Sequence, residues 1–494
     1  MRLEFAQALR DRGLGDAQCP RGSADAAFGG DGGEIAELVQ LHGGPLSAAV
    51  RSRPQRQAPP APAWRRLSAP AGSEFLDSPQ DSKETDSPMT TYTVDNAAAL
   101  ESVLPAVREV APEMVGLRHR IHAHPELAYE EHVTSELVAT RLADWGYEVH
   151  RGLAGTGVVA TLQCGTGTRR LGLRADMDAL PIQEATGLPY ASQVPGKMHA
   201  CGHDGHTSIL LAAARVIAQE RSFDGTLHLI FQPAEEGLGG GRRMVEEGLF
   251  ERFPCDAIFA LHNMPGFPAG KFGFKEGSFM ASSDSVTITV TGRGGHGSAP
   301  HLSADPVVAA AHIVVALQTI VSRNVDPREM AVVSVGAIHG GDAPNVIADS
   351  VQMRLTVRAY RPEIRAMLRE RITELAQAQA ATLGVKAEVD YHWRYPALVN
   401  DEESTRFARQ VAHDWLGDDG LLPPLAPLTG SEDFSFMLER CPGSYLIVGN
   451  GEGEHHRTGG CMVHNPGYDF NDAILPIAAS YWVQLVRRFL AAQA

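Results

Sequence analysis

The sequence predicts an α/β protein built on a mixed sheet, with a second α+β part inserted into it. Three observations predict it. Short β-like runs alternate with helix-like stretches between residues 146 and 263, the pattern of a sheet covered on both faces. Between about 283 and 394 the order is strand, helix, strand, strand, helix, strand, a ferredoxin-like arrangement. Polar residues collect where apolar strands end, which is where open α/β sheets bind ligands.

The chain of 494 residues is long enough for two or three domains with substantial cores. Its net charge of −16 argues against nucleic acid or an anionic membrane as partner, since both need a basic face, and leaves a small molecule. Six cysteines at irregular spacing do not form a disulfide framework and fit a reducing, cytoplasmic setting. The most apolar run, 306–321, carries His312 and Gln318 and is expected as a buried helix rather than a membrane span.

Residues 1–88 hold "GGDGG", "PQRQAPPAPAW" and "DSPQDSKETDSP" with little periodicity. Two readings fit: a disordered tail, or an upstream extension with Met89 as the true start. Arg2, Glu4, Arg10 and Asp11 interrupt any signal-peptide core. From about residue 100, "APEMVGLRHRIHAH" and "TSELVATRLADWG" read as helices, the second ending at Gly146. The runs "YEVH", "GVVATLQC", "RRLGLRAD", "GTLHLIFQPA" and "CDAIFALHN" read as strands. Asp176 and Asp178 are expected at one strand end, Glu235 and Glu236 at another, and His262 at a third.

The stretch "MHACGHDGHTSILLAAA", 198–214, leaves three readings open. Cys201 and His203 can be metal ligands or parts of a cysteine hydrolase, or the stretch is a helix capped by Asp204. Glu235 and Glu236 precede "GLGGG", which lacks the phosphate-loop lysine pattern. Alone, His262 reads as a core histidine. Together, a thiolate, imidazoles and a carboxylate at successive strand ends form the sulfur, nitrogen and oxygen set that borderline divalent metals accept.

Eight segments, in order across residues 117–472, carry a resemblance: "LRHRIHAHPELAYEE", "RADMDALPI", "MHACGHDGHTSILL", "FQPAEEG", "GRGGHGSAPHLSADPV", "APNVIAD", "GSEDFSF" and "HNPGYDFND". The chain resembles the dinuclear metal-dependent peptidases and aminoacylases of family M20, in the branch of hippurate hydrolase and the indole-acetyl-amino-acid hydrolases. The resemblance implies a dinuclear metallo-exopeptidase-like catalytic domain in two parts, 96–282 and 395–494. It also implies a lid and dimerisation domain at 283–394, with 1–95 outside the family.

It further implies that Cys201, His203, Glu236, His262 and His464 hold two divalent ions, manganese, zinc or cobalt. Glu235 resembles the general base and Asp178 the residue that orients a ligand. Asp176 stands where members outside the branch have a histidine. That departure makes Cys201 the replacement ligand, bridging or terminal. His206 is expected to point away by a turn. His296 resembles an oxyanion donor reaching over from a partner subunit, and Asn345 and Arg358 resemble substrate contacts. The implied reaction is hydrolysis of N-acyl amino acids by a homodimer or higher homo-oligomer. The alternatives are a dipeptidase, an N-acetyl-diaminopimelate deacetylase, or a catalytically silent binding protein on the same fold.

Overall fold

The computed structural model describes residues 97–453 and 460–491, so the expectations for 1–95 lie outside the described residues. The main elements run α1 (Pro105–Ala123), α2 (His132–Asp144), β1 (Glu148–Leu153), β2 (Gly157–Cys164), β3 (Arg170–Asp176), α3 (His203–Glu220), β4 (Gly225–Gln232), β5 (Ala257–Pro265) and β6 (Phe272–Gly273). There follow β7 (Ser283–Thr291), α4 (Pro306–Asn324), β8 (Ala331–His339), β9 (Ser350–Ala359), α5 (Pro362–Thr382), β10 (Lys386–Tyr395), α6 (Glu402–Leu416), β11 (Gly443–Gly451) and α7 (Leu475–Phe489).

One sheet has seven strands in the order β1-β2-β4-β3-β5-β11-β6. Its centre is parallel, with β3 on β4 and β5 and β5 on β11, and its flanks are antiparallel. Parallel strands need apolar cover on both faces, and these have it. Leu171, Leu173, Leu227, Leu229, Phe259 and Leu261 face one core, while Ile230, Ile258, Ala260 and Ile447 face the other. Helix α3 packs on β3 between α1 and α7 and is buried at every position from His203 to Ala214. An all-round apolar helix is a core helix.

The second sheet is antiparallel, ordered β8-β9-β7-β10, with α4 and α5 on one face over a separate core. Helix α4 departs from its expectation. It buries only one face, through Ala309, Ala310, Ile313, Leu317 and Ile320, and leaves Val315 70% exposed. One sheet covers one side of it and no described element covers the other. By length and apolarity alone α4 is also sufficient to cross a membrane.

All three expected strand ends shift. His262 lies within β5, because β5 keeps pairing with β11 as far as Pro265. Asp178, Glu235 and Glu236 lie just beyond β3 and β4 rather than on their last residues.

Candidate metal centre

The loop from β3 and the start of α3 bring the first ligands together. Gly202, between Cys201 and His203, has φ +92°, and a Cβ there would lie 2.2 Å from Asn263 Oδ1 and 2.5 Å from the Tyr468 hydroxyl. Only glycine fits this left-handed, crowded corner, which turns Cys201 and His203 to the same side. Asp204 does not cap α3, because Gly202 occupies the cap position. Its carboxylate instead pairs with Arg118 at 3.3 Å and His122 at 2.9 Å, anchoring the first turn from beneath.

His203 Nδ1 donates to Asp178 Oδ1 at 3.2 Å, which leaves Nε2 bare, buried and without a hydrogen-bond partner. His262 Nδ1 donates to the Asn263 carbonyl at 2.5 Å, which leaves its Nε2 to face Cys201 Sγ at 3.4 Å. Fixing one ring nitrogen so that the other faces inward is how proteins prepare imidazoles for metals. Asp178 also accepts from the Glu236 backbone N–H at 2.9 Å, so one carboxylate sets two of these residues. Glu236 Oε1 lies 3.2 Å from His464 Nε2 and 4.0 Å from His203 Nε2, yet makes no hydrogen bond. His464 sits at φ +62°, a strained conformation for a histidine, with its N–H held by the Ala200 carbonyl at 2.7 Å.

Of five groups among the described residues whose donor atoms lie within 4.8 Å of one another, two triads include Cys201: Cys201, His203 and His262, and Cys201, Glu236 and His464. They share Cys201. The soft sulfur, imidazole nitrogens and carboxylate oxygens suit a borderline divalent ion at each triad, and the bare His203 Nε2 and Glu236 Oε1 are what such ions would satisfy. Charge points the same way. Burial would lower His203, but Asp176 and its neighbours hold it well above the usual imidazole range, and Cys201 and Glu236 push His464 up to about 10. The cluster demands positive charge, and protons meet that demand when no cation does.

Glu235 lies outside the two Cys201 triads, but its carboxylate also groups with His203 and Glu236 and, on the other side, with Glu432 and Asp433. Burial, then Glu432, Glu236 and Asp433, push its carboxyl well above the carboxylate range. On its far side is an ionic network that the sequence alone does not reveal. Buried Arg174 donates to Asp176 at 2.6 Å, Glu432 at 2.9 Å, Asp433 at 3.2 Å and Gln232 at 2.9 Å. Glu432 and Asp433 come from the quoted "GSEDFSF" segment, some 258 residues away along the chain, and an arginine inside an apolar strand is the signal that could have found them.

His206 is a correction. It does not turn away; its Nδ1 meets Asp176 at 2.7 Å, its Nε2 meets Asn263 at 2.7 Å, and it packs edge-on against His262. It buttresses the site from inside, because α3 is buried on all sides. His296 and Asn345 lie elsewhere, on an exposed two-stranded ribbon where Gly297 N–H donates to the Asn345 carbonyl and His296 Nδ1 accepts from Ser298. No described contact joins them to the ligands. Arg358, half-buried, donates to Ser431 Oγ at 3.0 Å and so reaches the loop that carries Glu432.

Residues 172–488 match the model of peptidase family M20/M25/M40. The chain belongs to that family. Hippurate hydrolase of Campylobacter jejuni is 44% identical over 389 residues, 79% of this chain and 100% of the relative. An N-acetyl-L-cysteine deacetylase of Bacillus subtilis is 38% identical over 372 residues, 75% of this chain and 86% of the relative. Among solved structures, a dinuclear metal-binding M20 peptidase of Bacillus subtilis matches with TM-score 0.67 and 32% identity, covering 78% of this chain and 99% of the other.

Proposed function

We propose that this protein is a metal-dependent amidohydrolase that cleaves N-acyl amino acids to a carboxylate and a free amino acid. The observation that carries the reading is the pair of triads with the bare His203 Nε2 and Glu236 Oε1, set against Glu235. Relatives named for hippurate, N-acetylcysteine and indole-acetyl amino acid hydrolysis support the substrate class. Divalent ions, manganese, zinc or cobalt, supply acidified water and a polarised carbonyl at such a site.

The remaining work belongs to the chain. Cys201, His203, Glu236, His262 and His464 are the ligands. Asp178 holds His203 in one tautomer and ties down the Glu236 backbone. Glu235 takes the proton from the attacking water and delivers it to the leaving nitrogen.

A buried Cys–His contact of 3.4 Å also fits a cysteine hydrolase, but burial raises the Cys201 thiol and pushes His262 well below its usual value. Neither shift favours a thiolate–imidazolium pair. The segment 283–394 acts as a lid and dimerisation domain in this reading. His296 of the partner subunit completes the oxyanion site, and Asn345 and Arg358 contact substrate. The protein works as a homodimer or higher homo-oligomer in the cytoplasm.

The test is a hydrolysis screen of hippurate, N-acetyl amino acids, indole-acetyl amino acids and dipeptides, with chelated and metal-reloaded protein. Turnover of acyl amino acids only after reloading is expected. Turnover of dipeptides alone, or full activity after chelation, contradicts the reading.

A further inference from the structure

The turn that carries Glu235 is strained and is held in part from outside its own sheet. Three left-handed residues punctuate it: Ala234 at φ +55°, Gly237 at +79° and Gly239 at +69°. A non-glycine residue in this conformation persists only when its surroundings impose it. Gly240 N–H closes back on the Ala234 carbonyl at 2.9 Å across the short, kinked helical turn Glu235–Leu238. From its own side the turn is held at the Ala234 N–H by Glu131 at 2.9 Å, at the Glu236 N–H by Asp178 at 2.9 Å and at the Leu238 carbonyl by the Tyr129 hydroxyl at 3.1 Å; the remaining restraints come from the last two residues of β10. The Tyr395 hydroxyl donates to the Glu235 carbonyl at 2.8 Å and accepts from Gly239 N–H at 3.0 Å, both buried. The Arg394 guanidinium donates to the Gly237 carbonyl.

The geometry of β10 explains how these side chains reach so far. Its register against β7 shifts between Trp393 and Tyr395, a bulge of the kind that re-aims a side chain. The bulge is fixed from behind by buried Asp284, which accepts from Arg394 N–H at 3.1 Å, from Tyr391 at 2.9 Å and from Arg365. Asp284 lies in the first turn of pairing of β7, so both edges of the joint belong to the four-stranded sheet. The turn they grip belongs to the seven-stranded one.

We infer that Tyr395 and Arg394 are positioning residues: from the strand that leaves the four-stranded sheet, they hold the 235–239 turn and with it the carboxyl of Glu235. The inference rests on Glu235 being the base. Removing the Tyr395 hydroxyl strands one buried carbonyl and one buried N–H together, so the turn loosens without any change in the ligands.

The test uses the full, metal-reloaded chain in wild-type, Tyr395→Phe, Arg394→Met and Glu235→Gln forms. It reads hippurate kcat and KM, bound metal, and amide exchange of residues 235–241. Tyr395→Phe is expected to lower kcat about tenfold and raise exchange of this segment about tenfold. KM is expected to stay within about twofold, with bound metal and exchange of α3 unchanged. Arg394→Met is expected to show the same split more weakly, and it serves if Tyr395→Phe does not fold.

Wild-type exchange and kcat in both variants, with Glu235→Gln impaired, overturns the inference and leaves the base assignment standing. Wild-type turnover in Glu235→Gln overturns the base assignment and the positioning role with it. Parallel loss of metal, kcat and α3 protection in both variants marks a merely structural role and also overturns the inference.

Discussion

Two buried polar clusters meet at the carboxyl end of the same sheet, and they are built on opposite principles. Around Arg174 every charge has a partner: three carboxylates and an amide converge on one guanidinium, and the carboxylates collect further N–H donors from Gly241 and Phe434. That network is complete with protein atoms alone. The Cys201 cluster, its immediate neighbour, leaves His203 Nε2 and Glu236 Oε1 buried with no hydrogen bond. Burial of a polar atom without a partner costs about 1–3 kcal/mol, so a native chain keeps such atoms where something else fills the gap. What marks the Cys201 cluster is that its atoms without hydrogen bonds belong to sulfur, nitrogen and oxygen donors gathered within 4.8 Å of one another.

The comparison can be broken hardest at its complete side. Arg174→Met leaves Asp176, Glu432 and Asp433 buried without their cation, and it is expected to cost about 3–5 kcal/mol of stability. Urea unfolding reads this directly; an unchanged midpoint would mean that the network is not what holds that end of the sheet.

Glu235 sits on the border between the two clusters. Glu235→Gln is expected to lower kcat by roughly a hundredfold or more while bound metal stays near the wild-type amount. Glu236→Gln is expected to lose metal. Equal metal loss in both would show that the border is drawn through the wrong residue.

A smaller effect sharpens the role of the support beneath the ligands. Burial would lower His122, but the Asp204 carboxylate and its hydrogen bond raise it to about 9. A raised imidazole stabilises the fold below its unfolded value near 6.5 and loses that contribution as pH rises through about 9. Stability is therefore expected to fall between pH 6.5 and 9, and His122→Gln is expected to flatten that decline. The smallest effect belongs to the uncovered face of α4. Val315→Ser is expected to change the unfolding free energy of the separate chain by less than about 0.5 kcal/mol, whereas Ile313→Ala on the buried face is expected to cost about 2–5 kcal/mol.

How much of this can be read from the sequence depends on the range of the contacts. Glu235, Glu236 and His262 are legible because each follows or lies in an apolar strand, and Cys201 and His203 because they open an apolar helix. Gly202 is legible only in retrospect, since its crowding comes from Asn263 and Tyr468, distant in sequence. Arg174 is buried by partners more than 250 residues away, and no local period encodes that pairing. His206 lies one turn beyond His203, and periodicity alone cannot tell a buried polar face from a solvated one when the whole helix is enclosed. The bulge that aims Tyr395 is likewise a property of strand pairing, invisible in "HWRYP" itself.

The central claim is that the Cys201 cluster is incomplete without divalent ions. Its most direct test is metal quantification on the chelated and then manganese-, zinc- or cobalt-reloaded full chain, beside His203→Ala. The account predicts uptake of about two equivalents per chain, one for each triad, falling by at least about one equivalent when the His203 ligand atom is removed. A folded wild-type chain that takes up no divalent ion, or one whose uptake is indifferent to His203, would contradict it.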